Sequence, residues 1–164
     1  MTVSPEELRS VLRQWASGVT VVTAGLNGTL HGMTVTSFSS VSLEPPLISV
    51  NIERRTRTHS LMKEAGAFAV SFLASDQQDL AQHFGGKIPD SEERLEGANY
   101  RLGSLGSPLL EGCLASFECR IQTTLPVGTH SIFVGELVTW DIQDGKFPLM
   151  YWQRNYRELE GISE

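Results

Sequence analysis

The sequence predicts a mainly β protein, an antiparallel β-barrel with a few peripheral helices. Runs rich in β-branched residues outnumber the helical segments, and hairpin turns link most of these runs. The segments with helical periodicity are few and short. A chain of 164 residues is long enough to bury one core, so we expect a single domain over residues 1–164.

The first element is a helix with a well-defined start. Ser4 suits the N-cap position, Pro5 suits the first helical position, and Glu7 completes a capping box with Ser4. We expect this helix to end near Gly18, because glycine readily adopts the conformation that closes helices. The apolar face of the helix consists of Leu8, Val11, Leu12 and Trp15.

Seven strands and two more helices are predicted after the first helix. Thr58 is expected to cap a helix over residues 59–65, and Asp76 is expected to cap a helix over residues 77–84. Residues 87–109 lack sustained periodicity and predict a long irregular loop. The predicted strands are residues 19–24, 29–38, 47–52, 68–73, 113–124, 131–142 and 149–152.

Charge and hydropathy argue against several classes of partner. The formal net charge is −6, from 13 Lys and Arg against 19 Asp and Glu, whereas nucleic-acid-binding surfaces are basic. No apolar run approaches the roughly 20 residues that a membrane-spanning helix needs. The N-terminal residues include neither a basic region nor an apolar one, which argues against a signal peptide. We therefore expect no nucleic-acid partner, no membrane partner and a cytoplasmic location.

The two cysteines are expected to be free thiols. Cys113 and Cys119 lie six residues apart in one predicted strand, which separates them by about 20 Å and puts them beyond disulfide reach. We expect both to be buried as small apolar side chains. There is no CxxC motif, and the four histidines are not spaced as helical metal ligands, so no metal site is predicted.

The segment from Thr34 to Ser42 is the most informative part of the chain. It contains six hydroxyl side chains in nine residues and is followed by Pro45 and Pro46, which turn the backbone away. Short hydroxyls can be half-buried while they hydrogen-bond a planar polar ligand or a phosphate. An edge strand with Ser and Thr facing solvent has the same composition. Composition alone leaves both interpretations open.

A second feature is a basic cluster at the start of a predicted helix. Arg54, Arg55 and Arg57 are interspersed there with Thr56 and Thr58. Helix starts normally favour Asp and Glu, because the helix dipole is positive at that end. Cations fit this position if an external anion such as a phosphate binds among them. Three solvated arginines on an exposed loop would give the same sequence.

His130 and the C-terminal aromatic residues are further candidates. His130 follows a Gly-Thr turn between two predicted strands, where a lone histidine is more often structural than catalytic. Tyr151, Trp152 and Tyr156 could fill a core or dimer contact, or could stack on a planar ring. Common nucleotide and hydrolase signatures are absent: the chain has no GxGxxG motif after the first strand, no P-loop spacing and no GxSxG elbow.

These features occur together in one family. The chain resembles the flavin reductase-like family of small split-barrel proteins, in particular the reductase components of two-component flavin-dependent monooxygenases, over nearly its whole length. Several segments in the same order make the resemblance more specific than any one motif. The segments are SGVTVVT (17–23), GMTVTSFSSVSLEPPL (32–47), FAVS (68–71), QDLAQHF (78–84), GTHSIFVG (128–135) and PLMY (148–151).

The resemblance implies a homodimeric, antiparallel split β-barrel of the Greek-key, FMN-binding type. It implies that the protein binds FAD or FMN, reduces it with NADH or NADPH, and supplies reduced flavin to a partner monooxygenase. The implied flavin contacts are Thr34, Val35, Thr36, Ser37 and Phe38 at the ring, Ser40 and Val41 at the ribityl chain, Arg55, Thr56 and Arg57 at the phosphate, and Phe84 and Gly85 at the pocket edge. The implied nicotinamide contacts are His130, which is the candidate catalytic residue, with Tyr151, Arg154 and Tyr156.

Two departures from the family pattern leave the cofactor preferences open. Thr129 stands where an Asp is frequent, and Thr36-Ser37 stands where an Ala-Asn or similar pair is frequent. FAD and FMN therefore remain alternatives, as do NADH and NADPH. Two other functions for this fold also remain: a flavoprotein that acts directly on an organic substrate, and a flavin- or haem-binding protein without nicotinamide-dependent turnover.

Overall fold

The computed structural model describes residues 3–86 and 94–159. Within these ranges the helices are α1 (Pro5–Leu12), α2 (Arg57–Ala65) and α3 (Gln78–Phe84), and a 3-10 turn at Ser75–Gln77 precedes α3. None of these helices is both long enough and apolar enough to cross a membrane. Strands make up most of the remaining structure, so the fold is mainly β, as the sequence predicts.

Twelve strands form three antiparallel sheets in the described ranges. The strands are β1 (Ser17–Gly18), β2 (Thr20–Leu26), β3 (Thr29–Val35), β4 (Ser39–Ser42), β5 (Leu47–Glu53), β6 (Ala67–Phe72), β7 (Tyr100–Leu102), β8 (Pro108–Leu110), β9 (Ala115–Val127), β10 (His130–Ile142), β11 (Met150–Trp152) and β12 (Asn155–Arg157). The largest sheet has the order β3-β2-β6-β9-β10-β5-β4. A second has the order β1-β11-β12, and β7 pairs with β8.

One short connection forces the seven-stranded sheet to curl. β3 and β4 are its two edge strands, yet only residues 36–38 separate Val35 from Ser39. In a flat seven-stranded sheet the edges would lie about 30 Å apart, whereas three connecting residues span at most about 14 Å. The two edges therefore meet at this crossing. No backbone ladder joins β3 to β4 in the described ranges, so the sheet is not closed into a hydrogen-bonded barrel.

Both faces of β2 are buried, which explains its unbroken run of small and β-branched residues. Val22 faces a core inside the curled sheet, where Met62 of α2 and Phe133 of β10 also lie. Val21 faces a second core on the other side of the strand, together with Phe84 of α3. β2 is thus the wall between two cores, and it fixes the position of the neighbouring β3.

The N-terminus of α1 confirms the predicted capping box, but its C-terminus differs from the prediction. The Ser4 hydroxyl accepts a hydrogen bond from the Glu7 N–H at 3.2 Å, and the Glu7 carboxylate accepts one from the Ser4 N–H at 2.8 Å. α1 ends at Leu12 instead of near Gly18, because the next residues turn toward β1. No residue of α1 is buried, so the described chain leaves the apolar face of this helix uncovered.

The caps predicted for the other two helices are wrong. Thr56 caps α2 in place of Thr58, with its hydroxyl accepting from the His59 N–H at 3.3 Å. Thr58 lies inside the helix, and its hydroxyl is 2.7 Å from Nδ1 of the buried His31. Asp76 does not cap α3, because it lies in the 3-10 turn and no side chain caps the helix that follows.

The predicted strands are present, with shifted ends. β3 ends at Val35, three residues before the predicted end, because residues 36–38 make the crossing to β4. The prediction of an irregular loop over residues 87–109 is wrong where β7 and β8 pair, while residues 87–93 lie outside the described ranges. β12 was not predicted, and its pairing with β11 forms a short C-terminal hairpin.

The thiols of Cys113 and Cys119 are free and buried, as predicted. They do not share one strand, because β9 begins only at Ala115. Burial raises the pKa of Cys113 to about 11 and that of Cys119 to about 12, so both stay protonated at neutral pH. No group of three potential metal ligands lies together in the described ranges.

A buried carboxylate anchors the loop before β8. Glu118 is fully buried in β9, where its Oε1 accepts from the Ser107 N–H and its Oε2 accepts from the Leu105 N–H, both at 2.8 Å. The Ser104 hydroxyl donates to the same Oε2 at 3.2 Å. A side chain at Gly103 would overlap this carboxylate, so the loop fits only with glycine there.

We expect Glu118→Gln to lower the free energy of unfolding by about 1–3 kcal/mol, because the amide cannot accept at both of its polar atoms and a buried N–H group loses its partner. Urea unfolding measures this change. Glu96→Gln is the matched control, since Glu96 is exposed and its substitution should change the stability by no more than about 0.5 kcal/mol. Equal effects of the two substitutions would contradict the anchoring role.

Candidate functional site

Three adjoining cavities open beside the crossing from β3 to β4. The central cavity has a volume of about 370 Å³ and lies between the end of β3, the end of β5, the start of β10 and the C-terminal hairpin. Its lining residues are Val19, Met33, Thr34, Val35, Thr36, Ser37, Asn51, Glu53, Gly85, His130, Tyr151 and Tyr156. Four consecutive residues of the hydroxyl-rich segment, 34–37, therefore border a single cavity.

The second cavity, here called the helix-end cavity, lies at the start of α2 and has a volume of about 420 Å³. It shares Met33, Thr34, Glu53 and Gly85 with the central cavity, so the two are continuous. Its lining residues are Met33, Thr34, Glu53, Arg55, Thr56, Thr58, Phe84, Gly85, Gly86 and Arg94. This end of the cleft thus combines cationic side chains with a helix N-terminus.

The third cavity, here called the outer cavity, has a volume of about 500 Å³ and adjoins the other side of the central cavity. It shares Thr36, Ser37, Asn51 and Tyr151 with the central cavity. Its lining residues are Arg9, Leu12, Arg13, Trp15, Ser17, Thr36, Ser37, Asn51, Tyr151, Gln153 and Arg154. The three cavities form one cleft. Thr34 lines the central and helix-end cavities, whereas Thr36 and Ser37 line the central and outer cavities.

Two hydroxyls of the predicted ligand segment make internal hydrogen bonds. The Thr34 hydroxyl donates to the Ala81 carbonyl of α3 at 2.7 Å, so toward the cleft it is available as an acceptor. The Ser37 hydroxyl donates to the Asn51 carbonyl at 3.0 Å and accepts from the Asn51 N–H at 3.1 Å. Ser37 therefore fastens the crossing to β5. Thr36, between them, is exposed at the cleft surface.

The structure does not bring every predicted flavin residue to the cleft. Phe38 packs edge-on against Phe72, with ring centroids 4.8 Å apart, and lies on the first core. Ser40 and Val41 lie on the exposed strand β4 and line none of the three cavities. Ser37 is thus the last residue of the hydroxyl-rich segment that borders the cleft.

The basic cluster is divided between the cleft and its surroundings. Arg55 lines the helix-end cavity, and its Nε lies 2.7 Å from Oε1 of Glu53. Thr56 lines the same cavity and connects two elements, because its hydroxyl donates to the Glu53 carbonyl at 2.8 Å while it caps α2. Arg57 is the first residue of α2 and does not line the three cavities. Arg54 lines a further concavity beside α2, which adjoins the helix-end cavity through Glu53 and Arg55.

Phe84 and Gly85 lie where the sequence predicts a pocket edge. Phe84 is fully buried and forms part of the wall of the helix-end cavity. Gly85 borders both the helix-end cavity and the central cavity. A Cβ at Gly85 would lie 3.0 Å from the Ala81 carbonyl oxygen. The absence of a side chain there lets the end of α3 approach the cleft closely.

His130 borders the central cavity from an exposed position at the first residue of β10. Its Nδ1 lies 2.9 Å from the Thr129 hydroxyl, which can donate or accept there. The neighbouring Ser131 is buried, and its hydroxyl lies 2.9 Å from Nε2 of His59 in α2. Burial lowers the pKa of His59, and the cations Lys63 and Arg54 lower it further. The contact between Ser131 and His59 connects the start of β10, where His130 lies, to α2.

The C-terminal hairpin supplies the aromatic wall of the cleft. The rings of Tyr151 and Tyr156 meet edge-on with centroids 5.4 Å apart, and both line the central cavity. Burial raises the pKa of Tyr156, and Tyr151 adds to this effect, so its hydroxyl stays protonated. Arg154 lies at the tip of the hairpin and lines the outer cavity. Tyr151, Tyr156 and Arg154 are thus brought to the cleft together.

Sequence reasoning missed two polar residues of the central cavity, Asn51 and Glu53. Both lie on β5, and the Cα atoms of Glu53 and His130 are opposite one another in the β5–β10 pairing. The alternation in residues 47–53 puts Ile48, Val50 and Ile52 in the core, so Asn51 and Glu53 must face the other way. That alternation was the available signal for their position.

A curled antiparallel sheet with a cleft that joins hydroxyl acceptors, arginines at a helix start and a pair of tyrosines is the kind of β protein that suits a nucleotide cofactor. Comparison with protein families makes this specific. The model of the flavin reductase-like domain matches residues 12–160. The chain belongs to this family, which confirms the resemblance found in its sequence.

Curated relatives cover nearly the whole chain. One is the NADH-dependent flavin reductase of a Rhodococcus species, 37% identical over 96% of this chain and 88% of that protein. Another is the reductase component of 4-hydroxyphenylacetate 3-monooxygenase from Thermus thermophilus, 36% identical over 94% of this chain and 96% of that protein.

Solved structures with similar folds are also named as oxidoreductases that act on flavin. The NADH:FAD oxidoreductase of Streptomyces globisporus C-1027 superposes with a TM-score of 0.91 at 32% identity, over 98% of each chain. BorF, the flavin reductase component of a bacterial two-component tryptophan halogenase, superposes with a TM-score of 0.87 at 39% identity, over 95% of this chain and 98% of that one.

Proposed function

We propose that this protein is an NADH- or NADPH-dependent flavin reductase that reduces FAD or FMN and supplies the reduced flavin to a partner monooxygenase. The observation that carries the proposal is the continuous cleft, in which the hydroxyl segment, the basic start of α2, His130 and the tyrosine pair meet in a chain of this family. The relatives named as an NADH-dependent flavin reductase and as a monooxygenase reductase component support NADH as the reductant and an oxygenase as the partner.

The cleft suits a flavin in both size and chemistry. The central and helix-end cavities each lie in the range of about 300–1,000 Å³ that is typical of small-molecule sites. The central cavity offers backbone and hydroxyl groups on one side and Tyr151 on the other, which suits a planar polar ring. Arg55 and the first turn of α2, capped by Thr56, suit a phosphate. Glu53 already pairs with Arg55, so a phosphate would compete for this guanidinium.

A bound flavin would supply the electron acceptor for a reduced nicotinamide ring. The chain's own contribution is to hold the two rings in a fixed arrangement, an effect worth several kcal/mol when reacting groups are aligned. The crossing is suited to this role because the Ser37 hydroxyl fastens it to β5 through both backbone groups of Asn51, the N–H and the carbonyl. No acid–base pair of side chains is required for ring-to-ring transfer.

His130 is proposed to orient the nicotinamide. When the Thr129 hydroxyl donates to Nδ1, the proton of the neutral imidazole lies on Nε2, which then serves as a donor in the central cavity. A carboxylate at position 129 would instead hold a proton on Nδ1. Thr129 therefore permits a role of His130 as a hydrogen-bond donor through Nε2, which a carboxylate at this position would oppose.

We further propose that the fold is a split β-barrel over residues 1–164 and that the protein is a cytoplasmic homodimer. The crossing that brings the two sheet edges together supports the split barrel. The distal half of the β9–β10 hairpin supports the dimer, because Leu125 and Val127 are both more than half exposed there. Two free thiols support the cytoplasmic location. Light scattering tests the dimer directly.

The direct test of the proposed function is oxidation of NADH and NADPH by the purified protein, with FAD, FMN or riboflavin added. We expect flavin-dependent loss of absorbance at the nicotinamide band, because the cleft offers room for both rings. Absence of oxidation with all three flavins would contradict the reductase function. Flavin binding without oxidation would favour the alternative of a flavin-binding protein without turnover.

We expect Arg55→Ala to weaken FMN and FAD binding about two- to fivefold, the effect of an exposed ion pair, while changing riboflavin binding little, because only the first two carry phosphate. Arg57→Ala should have a smaller effect, since Arg57 does not line the helix-end cavity. Arg120→Ala is the matched control, since Arg120 is exposed on β9 and lines none of the three cavities. Fluorescence titration measures the three dissociation constants. Equal losses for all three flavins would show that Arg55 does not contact the phosphate.

We expect His130→Ala to raise the KM for NADH about tenfold and leave the dissociation constant of the flavin nearly unchanged, because His130 borders the cavity from its exposed side. His130→Gln keeps a donor near the position of Nε2 and should restore part of the KM. Steady-state kinetics at saturating flavin measures both. If flavin affinity falls and the KM for NADH does not change, His130 contacts the flavin and not the nicotinamide.

A further inference from the structure

Among the residues that the structure describes, Glu53 is the only acidic one that lines the cleft. It is the last residue of β5 and borders both the central and the helix-end cavity. Its side chain is 31% exposed, so the carboxylate is accessible to a ligand in the cleft. A negative charge at this position opposes the binding of an anion, and such a repulsive element is a means of discriminating between ligands.

The backbone holds Glu53 beside the start of α2. The Glu53 carbonyl accepts hydrogen bonds from both the N–H and the hydroxyl of Thr56, at 3.1 and 2.8 Å. The Cα of Glu53 is opposite that of His130 in the β5–β10 pairing. The preceding residue, Ile52, is fully buried in the core, so strand alternation directs the Glu53 side chain toward the cleft. The carboxylate is therefore kept at the N-terminal end of the helix.

The Glu53 carboxylate cancels positive charge that a phosphate would otherwise use. Its Oε1 lies 2.7 Å from Nε of Arg55, and both residues line the helix-end cavity. The pair is formally neutral, so it attracts a nearby anion much less than a single guanidinium would. A phosphate with a second negative charge therefore gains little from the pair, although that charge still has to be removed from water.

FMN and FAD differ in the charge of the phosphate that is attached to the ribityl chain. In FMN this phosphate is a monoester, which carries a charge of about −1.5 to −2 at pH 7. In FAD the same phosphate belongs to a diphosphate bridge and carries a single charge. Because the Coulomb energy is proportional to the charge, a carboxylate repels the FMN phosphate up to about twice as strongly.

We propose that Glu53 is a specificity-determining residue that favours FAD over FMN, through repulsion between its carboxylate and the second charge of a terminal phosphate. The inference rests on the proposed function, because it takes a flavin phosphate to lie in the helix-end cavity. Arg55 and the start of α2 attract either phosphate, and Glu53 removes the advantage that the more highly charged one would have. An uncharged side chain at position 53 would shift the preference toward FMN.

Calorimetric titration of the purified full-length protein with riboflavin, FMN and FAD tests this role and requires no turnover. We expect the unaltered protein to bind FAD more tightly than FMN. Glu53→Gln should tighten FMN binding about fivefold and FAD binding about twofold, because the effect of a solvent-exposed charge is small and follows the charge of the ligand. Riboflavin, which has no phosphate, should bind equally to both proteins.

Two variants and one ligand serve as matched controls for the charge of Glu53. Glu53→Asp keeps the charge and should retain the preference for FAD. Glu64→Gln removes an equal charge from the exposed side of α2, beside the concavity outside the cleft, and should leave all three dissociation constants nearly unchanged. The methyl ester of FMN has one charge on its phosphate, so Glu53→Gln should tighten its binding only about twofold.

Four results would overturn the inference: tighter binding of FMN than of FAD by the unaltered protein, equal gains for FMN and FAD in Glu53→Gln, weaker FMN binding in that variant, or an equal gain in Glu64→Gln. Weaker FMN binding would mean that Glu53 positions Arg55 for the phosphate. The hydrogen bonds that hold residue 53 use its backbone carbonyl, so Glu53→Gln should fold, and circular dichroism checks this.

Failure of the proposed function would look different. In that case the flavins would bind without oxidation of NADH, while the titrations would still decide whether Glu53 discriminates between FMN and FAD. If none of the flavins binds, the inference fails together with the proposed function.

Discussion

The structure depends on one constraint, the three residues that carry the chain from one edge of the seven-stranded sheet to the other. Because residues 36–38 cannot span a flat sheet, the strands must curl until Val35 and Ser39 are neighbours. The curl encloses the first core, and it brings β5 next to the end of β3. The cleft forms where these elements meet, so the fold and the candidate site have one geometric cause.

The same constraint explains why the hydroxyl-rich segment is not a uniform ligand wall. Because the crossing forms no ladder with β5, the backbone groups of Asn51 that face it lack a strand partner, and the Ser37 hydroxyl bonds both of them. Thr34 bonds to α3 in the same way. The two interpretations left open by composition, ligand wall and sheet edge, each hold for part of the segment: residues 34–37 border the cleft, and Ser39 to Ser42 form an edge strand.

Much of the fold followed from local sequence signals, and the errors arose where tertiary contacts outweigh them. The Ser4 capping box is complete within four residues, so it could be predicted. Thr56 and Thr58 are equally good caps by type, and the choice depends on His31, which is distant in sequence and bonds to Thr58. Asn51 could have been found from strand alternation. The position of Trp15 could not, because it depends on where α1 ends and on its contact with the C-terminal hairpin.

The electrostatics of the cleft suit a protein that must release what it binds. Arg55 is 84% exposed and already paired with Glu53, so solvent and a competing carboxylate would both reduce its contribution to the proposed phosphate contact. A reductase that supplies flavin to another enzyme needs such a limited affinity, whereas a storage protein would gain from a buried, unpaired cation. The acidic net charge also limits the affinity for an anionic cofactor, since it opposes anion binding everywhere except at the two cationic ends of the cleft. Glu53 would therefore weaken binding at the position where its partner Arg55 offers a positive charge to the proposed phosphate.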